Sequence, residues 1–489
     1  MLTDKEKAYF DATRPLVKME VALVRALSAN PTYLTKVEEN SLRYAMNLAR
    51  LGPFRLPNGM DIDLCEEVKQ FRETLIAILE PAINTKTGKI DRVELVRYIP
   101  RIQEETLLTR HLLLDRHTDE FGEEHLDKEV GKKTLVSVLG GGGGSGLVYV
   151  GAFKLLEDHG IRPKYIVGTS IGSIIGMFRA LSDEFDVANL VAQSRKIEFG
   201  LRDIFMIKPP TTKSLFGLPA AIRLDLYPSA EKYFRSIGRE VPSFEELKVP
   251  FEAVVCGIKK GGLRNAPEYY TGDVPSFSDK GLIKWRPDTF KWIVKTINMV
   301  TKEFSDPEIL VEVVFGRDKL TRKLKVVDGV GFSCAIPGMV HYDIFRKDDE
   351  TIELLSELME KEGLAYLVDG GLVNNVPSRV AWEGVYRGRI GTRNAFILAF
   401  DSFSPQFNRN IFFLPAQRII QMNTRRNLPF SYYTKIFGSV PNPFHIVSLP
   451  RGMINMFKRG IKELTPDLPF IHKMLSYVPG PAESYGANR

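Results

Sequence analysis

The run "TLVSVLGGGGGSGLVYVGAFKLLEDHG" (134–160) decides how the chain is read. Five glycines, Gly140 to Gly144, follow a short apolar strand and lead into an amphipathic helix. Ordering that many glycines costs conformational entropy, so the turn must need backbone that no other residue supplies. A strand-to-helix turn presents N–H groups at the positive end of a helix and suits an anion. That anion is either a cofactor's phosphate or a charge that exists only during a reaction.

"GGGGSG" (Gly141 to Gly146) fits the dinucleotide pattern G-x-G-x-x-G in its proper strand-before, helix-after context. That reading also requires an acidic residue at the end of the next strand to hold a ribose hydroxyl. The next strand, "KYIVGTS" (164–170), ends in Gly168-Thr169-Ser170 and has no acid there. A nucleotide phosphate loop would need Gly-Lys-Ser/Thr, and the lysine is missing. Both phosphate readings fail at their second requirement.

The same strand end offers a different partner. "GTSIG" (168–172) matches G-x-S-x-G, a sharp turn that lifts a serine hydroxyl above a sheet, with Gly168 and Gly172 leaving room for it. It precedes a good helix, "IGSIIGMFRALS", in the unit directly after the glycine turn. Adjacent parallel strands would bring Gly141, Gly142, Gly143 and Gly144 beside Ser170. The anion is then an oxyanion, stabilised by backbone donors that need no reorganisation.

A serine needs a base. Of the seven histidines, His111, His117 and His125 precede the glycine turn, and His159 sits where it would cap a helix. His341, His445 and His472 follow Ser170 and are the candidates for a Ser-His-Asp triad. "AYLVDGGLVNNVPSRVAWEG" places Asp369 at the end of an apolar strand, followed by Gly370 and Gly371. A carboxylate at a strand's C-terminal end, where parallel sheets build their sites, could act as the base directly if partly desolvated. The same position also suits a plain turn or cap residue.

In this order the glycine turn, "GTSIG" and "DGG" resemble the patatin-like phospholipases. "GLVYVGAFKLLEDHGI" is similar to the family's helix after the oxyanion loop, "DGGLVNNVP" to its aspartate segment, and "SCAIPG" (333–338) to the segment just upstream. The resemblance spans roughly 134–400. It implies an α/β sandwich hydrolase with a mainly parallel sheet, acting on acyl esters of lipids, mostly phospholipids. It also implies no cofactor and no metal in the catalytic step. Carried onto this sequence, Ser170 is the nucleophile, Asp369 its base, and Gly141–Gly144 supply the oxyanion amides. Gly146, Gly168, Gly172, Gly370 and Gly371 complete the motifs. The sequence departs from the family at Ser145, where Arg or Lys is usual before the last glycine. That substitution leaves room for a further reading, a lipid-binding or scaffolding protein with an impaired site.

Around this core, residues 1–133 read as a helical region, with "VKMEVALVRAL" and "LCEEVKQFRETLIAIL" at helical spacing and "LGPFRLPNGMDID" as a turn-rich break. Residues 134–400 alternate β-rich and helical runs, as a parallel sheet covered by helices requires. Within them, 258–330 form a charged, aromatic segment read as a lid or an inserted subdomain. Residues 401–489 are a basic, aromatic extension, with eleven Lys and Arg against four Asp and Glu, so the tail carries the chain's whole net +7. Its "MINMFKRGIKEL" sets Ile454, Phe457 and Ile461 beside Lys458, Arg459 and Lys462, a pattern suited to anionic lipid or to packing on the core. No nucleic-acid reader motif accompanies these charges.

Three scattered cysteines, Cys65, Cys256 and Cys334, read as free thiols in a reducing, cytoplasmic compartment. The charged N-terminus lacks a secretory pattern, and no apolar run reaches the ~20 residues of a membrane span.

Overall fold

The computed structural model describes residues 2–185, 207–208, 214–220, 222–266, 269–270, 291, 295–296, 298–300, 302–304, 306–404, 423–438 and 450–481. The chain forms two compact units. One comprises Met1–Val136, Trp382–Ile397 and Pro466–Arg489; the other comprises Ser137–Ala381 and Leu398–Thr465.

The first unit is built on helices α1 (Asp4–Ala29), α2 (Lys36–Leu48), α3 (Lys69–Leu79), α4 (Arg92–Arg116) and α5 (Glu123–Gly131). Thr3 with Glu6 and Thr35 with Glu38 form reciprocal capping boxes that start α1 and α2. The turn-rich break is a β-hairpin, pairing Pro53–Arg55 with Asp61–Asp63. Leu23, Leu42, Leu75 and Leu95 meet in one apolar core. At the edge of that core Glu20 is wholly buried and faces Lys133 Nζ at 2.7 Å, Arg50 Nη1 at 2.8 Å and Arg43 Nε at 3.8 Å. Burial alone would raise its carboxyl; the three cations hold it below the usual carboxylate range.

The second unit is centred on one sheet. Its strands are β1 (Thr134–Leu139), β2 (Tyr165–Thr169), β4 (Phe251–Lys259), β5 (Leu310–Phe315), β7 (Leu364–Asp369), β8 (Ala395–Asp401) and β9 (Tyr433–Ile436). The strands β3 (Ile222–Leu224) and β6 (Val340–His341) pair outside it. Its order is β5-β4-β2-β1-β8-β9, with β7 also on β4. The sheet is mainly parallel, and β2–β4 and β8–β9 are parallel pairs. Helices α6 (Val148–Asp158), α7 (Ile171–Ala180), α8 (Leu226–Ser236), α9 (Val326–Ser333), α10 (Asp349–Lys361), α11 (Ser378–Tyr386) and α12 (Pro450–Leu464) follow in chain order.

The strand that carries Asp369 corrects the expectation of a parallel site: β7 runs antiparallel to β4. The register explains why this still serves the site. Ala253 and Val254 of β4 pair with β2 and also with β5, so those two strands lie on opposite edges. Val255 to Ile258 pair with β5 and with β7, so β7 shares the β2 edge. There Thr169 sits opposite Val254 and Asp369 opposite Val255. The two strands meet head-on, their C-terminal ends adjacent.

Of the segment 258–330, β5 and the start of α9 are parts of this architecture. Residues 271–290, which include the start of "IKWRPDTFKWIVKTINMV", lie outside the described residues. In the tail, Phe430 and Phe437 are buried within the second unit, and Phe470 is buried in the first. Phe412, Phe413, Phe444 and His445 lie outside the described residues. α12 crosses α6 in backbone contact. A Cβ on Gly151 would stand 2.0 Å from the Phe457 carbonyl oxygen, and one on Gly460 2.0 Å from that of Val148.

Candidate active site

Ser170 stands between β2 and α7 with φ +53° and ψ −128°, the one non-glycine residue of positive φ among the described residues. Such a conformation costs on the order of 1–3 kcal/mol and persists only where its surroundings enforce it. The enforcing contacts are specific. Ser170 N–H donates to Ser333 Oγ at 2.9 Å, and that hydroxyl donates to the Val254 carbonyl at 2.6 Å. Ser170 C=O accepts from Ser173 N–H at 2.8 Å and from Ser173 Oγ at 2.6 Å, starting α7. Both backbone groups of the strained residue are thereby satisfied inside a buried turn.

Asp369 ends β7 and is 7% exposed. Its Oδ1 accepts the Gly371 N–H at 2.7 Å, capping the short turn Gly370–Leu372. Asp369 is therefore a turn cap, and its carboxyl also feels the Ser170 hydroxyl. Burial pushes its carboxyl up to about 6, and the Ser170 hydroxyl and the Gly371 N–H offset part of that rise. Gly370 is squeezed at the strand junction: a Cβ there would stand 2.1 Å from the Val254 oxygen and 3.2 Å from Thr169 Cγ2.

The glycine turn completes the site. Gly142 and Gly143 have φ +157° and +55°, which only glycine adopts without strain. Gly143 begins the short turn that leads into α6, and its first amides have no intrahelical acceptor. Gly143 and Gly144 line the apolar pocket onto which Ser170 opens, together with Leu147, Ile171, Cys334 and Ile336. Gly141 lies against the serine: a Cβ on it would stand 3.2 Å from Ser170 Cβ and 2.6 Å from Asn375 Oδ1. Gly146 packs on Ile171, and Gly168 and Gly172 close the contact between β2, α7 and β1. Each sequence-identified residue of the three motifs is thus in one place.

Ser145, at the position where the family has a cation, is buried. Its hydroxyl donates to the Gly142 carbonyl at 2.5 Å and meets Ser402 Oγ at 3.2 Å. Tyr149 O–H donates to Ser402 Oγ at 2.9 Å and accepts Ser402 N–H at 3.0 Å. Here a closed hydroxyl chain orders the glycine loop, and a cation is not needed for that.

Sequence reasoning missed the residues that bind the three loops together. Gly141 N–H donates to the Asn375 carbonyl at 3.0 Å, which corrects the expectation that its amide is an oxyanion donor, and Thr169 Oγ1 donates to the carbonyl of Asn374 at 2.9 Å. Asn374 Nδ2 in turn donates to Glu312 on β5 at 2.7 Å, and Glu312 also holds Arg379 at 2.5 Å. "LVNNVP" carried that signal without saying which groups would be used. Ser333 stood first in "SCAIPG" but had no assigned partner. Cys334 also lies beside the Ser170 hydroxyl; burial, then the Asp369 charge, push its thiol well up and keep it protonated.

Of the late histidines, His341 and His472 are among the described residues. His341 is buried with Nε2 3.2 Å from Ser214 Oγ and 3.7 Å from Asp343 Oδ2, in a cluster of its own. His472 belongs to the first unit. Among the described residues no group of three or more His, Cys, Asp or Glu could hold a metal ion.

A serine on a strained strand-to-helix turn, facing a buried carboxylate and a glycine loop, defines the site of an α/β hydrolase-type protein. The chain belongs to the patatin-like phospholipase family, whose model matches residues 137–382, half of its length. Short stretches are also similar to curated proteins. They are 44% identical over 59 residues to Lysophospholipase NTE1 of Yarrowia lipolytica (12% of this chain, 4% of that protein). They are 30% identical over 112 residues to Lysophospholipase NTE1 of Scheffersomyces stipitis (22% and 7%). They are 42% identical over 66 residues to human Patatin-like phospholipase domain-containing protein 6 (14% and 5%). The matches therefore span a small fraction of those relatives' length.

Replacing Ser333 by Ala removes both the acceptor for Ser170 N–H and the donor to Val254. The expected outcome is a folded protein, by circular dichroism, whose Ser170 reacts with a fluorophosphonate probe at least about tenfold more slowly, the rate equivalent of one lost hydrogen bond of about 1.4 kcal/mol.

Proposed function

We propose that the protein is a lipid acyl hydrolase of the phospholipase A or lysophospholipase type. Ser170 Oγ attacks the ester carbonyl as its proton passes to Asp369. The tetrahedral oxyanion is held by backbone amides of Gly142–Gly144, where donors fixed by folding are worth most, since the Gly141 N–H is already given to the Asn375 carbonyl. Collapse breaks the ester bond, and Asp369 returns the proton to the leaving alkoxide. Water then attacks the acyl-enzyme with Asp369 again as base, freeing the fatty acid and restoring the Ser170 hydroxyl.

The observation that carries this reading is the convergence of Ser170, held on a strained turn and lining an apolar pocket, with the buried Asp369 carboxylate, whose proton affinity the Ser170 hydroxyl lowers. A carboxylate whose pKa stands near 6 is a stronger base than an ordinary aspartate and is still ionised at neutral pH. The names of the lysophospholipase relatives favour the same substrate class. The isolation of His341 with Ser214 and Asp343 favours a dyad over a triad through that residue.

Peripheral contact with anionic lipid belongs to the same proposal. Among the described residues no helix is long and apolar enough to cross a membrane. While α12 lays one face on α6, Ile454 is 49% exposed and Lys458 and Lys462 project outward on the same helix.

Ser170→Ala is expected to abolish release of fatty acid from lysophosphatidylcholine while the melting temperature holds; retained activity would end the dyad assignment. In the wild type, kcat/KM should fall about tenfold per pH unit below about 6, as Asp369 takes up a proton and stops acting as base, and should level off above. Mutating His341 should leave the position of that limb unchanged. The double variant Lys458→Glu/Lys462→Glu should co-sediment less with vesicles rich in phosphatidylserine and equally with purely zwitterionic ones. Equal binding of the variant and wild type to the anionic vesicles would remove α12 from the membrane proposal.

A further inference from the structure

The first unit holds a cleft that the hydrolase reading does not use. With open solvent left out it encloses about 540 Å³, against about 40 Å³ beside Ser170. All of its lining residues belong to that unit. One helical face of α1, with Lys5, Ala8 and Ala12, forms one wall, and the face of α3 that carries Lys69, Arg72 and Ile76 forms the other. Asp63 of the hairpin and Tyr386 complete the lining.

Most charges around the cleft already answer one another. Lys5 pairs with Asp63 at 2.7 Å, and Lys69 with Glu66 at 3.3 Å. Three lining groups are left over. Asp11 on α1 and Glu73 on α3 are exposed, and neither carboxylate has a hydrogen bond or ion pair among the described residues. The third is Arg72, which is only 3% exposed. Its Nε and Nη2 donate to the Ala49 and Leu51 carbonyls at 2.7 and 3.0 Å, where the end of α2 answers part of its charge. Its Nη1 meets the Cys65 sulfur, a weak acceptor, at 3.6 Å. No carboxylate pairs with this guanidinium among the described residues, although buried charges are as a rule paired. The cleft also has an aromatic side. Tyr9 and Tyr386 lie with ring centroids 5.2 Å apart, Trp382 stacks on Tyr386 at 5.3 Å, and Tyr9 is fixed by its hydrogen bond to the Arg50 carbonyl.

We propose that this cleft binds a small zwitterion, its anionic group on Arg72 Nη1 and its ammonium group toward Asp11, Glu73 and the tyrosine rings. The inference does not depend on the hydrolase reading. A simple anion would be repelled by the two free carboxylates, and a simple cation by the buried guanidinium. A zwitterion answers both signs at once and leaves the net charge of the cleft unchanged. An alkylated ammonium also gains from the faces of the tyrosines. Two sources share this chemistry: a phosphodiester joined to choline, as in a lipid head group, and a free amino acid.

Calorimetric titration of the whole chain with glycerophosphocholine and, separately, with L-alanine tests the site, with choline and inorganic phosphate as half-ligands. At least one zwitterion is expected to bind about tenfold or more tighter than either half-ligand, and the one that binds identifies the source. The double variant Asp11→Asn/Glu73→Gln, which alters only exposed side chains, should weaken that binding about tenfold. Ala12→Trp, which fills the cleft from α1, should abolish it, and Ser170→Ala should leave it unchanged. Failure of both zwitterions to bind, equal binding of a half-ligand, binding indifferent to the double variant, or binding lost with Ser170 would each overturn the proposal. If Ala12→Trp does not fold by circular dichroism, Ala8→Trp, at an exposed position on the same wall, takes its place.

Discussion

One constraint underlies the whole site: β2 and β7 meet end to end on the same edge of β4. A single strand therefore fixes two loops that are almost two hundred residues apart in sequence. Val254 and Val255 are consecutive, and the residues paired with them are Thr169, which immediately precedes the proposed nucleophile Ser170, and Asp369, its proposed base. The Val254 carbonyl is the meeting point. It accepts the Ser333 hydroxyl that holds Ser170 N–H, and it lies against Gly370, where any side chain would collide. The separation of hydroxyl and carboxylate is thus set by strand register, which cannot slip by one residue without exchanging the two packed faces of β7.

What the strand junction places, the loops then tie together. The Asn374 and Asn375 carbonyls take one hydrogen bond from the residue before the nucleophile and one from the glycine loop. The hydroxyl chain of Ser145, Ser402 and Tyr149 secures the far side of that loop. These are neutral, buried contacts of fixed geometry, and they keep positive charge away from the amides that face the pocket. The environment of Asp369 follows from the same packing: a buried carboxylate capped by one N–H is more basic than one in water.

Much of this was legible in the sequence. The five-glycine turn, "GTSIG" and "DGG" each announce a local backbone need, and together they named Ser170, Asp369 and the glycine loop. The family resemblance joined them. Local patterns could not show the direction of β7, because an apolar run such as "AYLVD" reads alike in parallel and antiparallel strands; only its pairing with β4 decides. Nor could they reveal Ser333, Asn374 or Asn375 as anchors, since each acts through long-range hydrogen bonds on backbone groups. Ser145 was legible as a departure from the family, but its compensation lies in Ser402 and Tyr149, remote or uninformative until the loop is folded. The amphipathic pattern of α12 was equally silent about the two glycines that let it lie directly on α6.

The most direct test of the central claim is a crystal structure of the protein after reaction with a long-chain alkyl fluorophosphonate. The account predicts phosphorus bonded to Ser170 Oγ, the phosphoryl oxygen among the amides of Gly142–Gly144, and the Asp369 carboxylate beside the modified serine. Phosphorus on another residue, or an Asp369 carboxylate turned away into solvent with a histidine in its place, would contradict it.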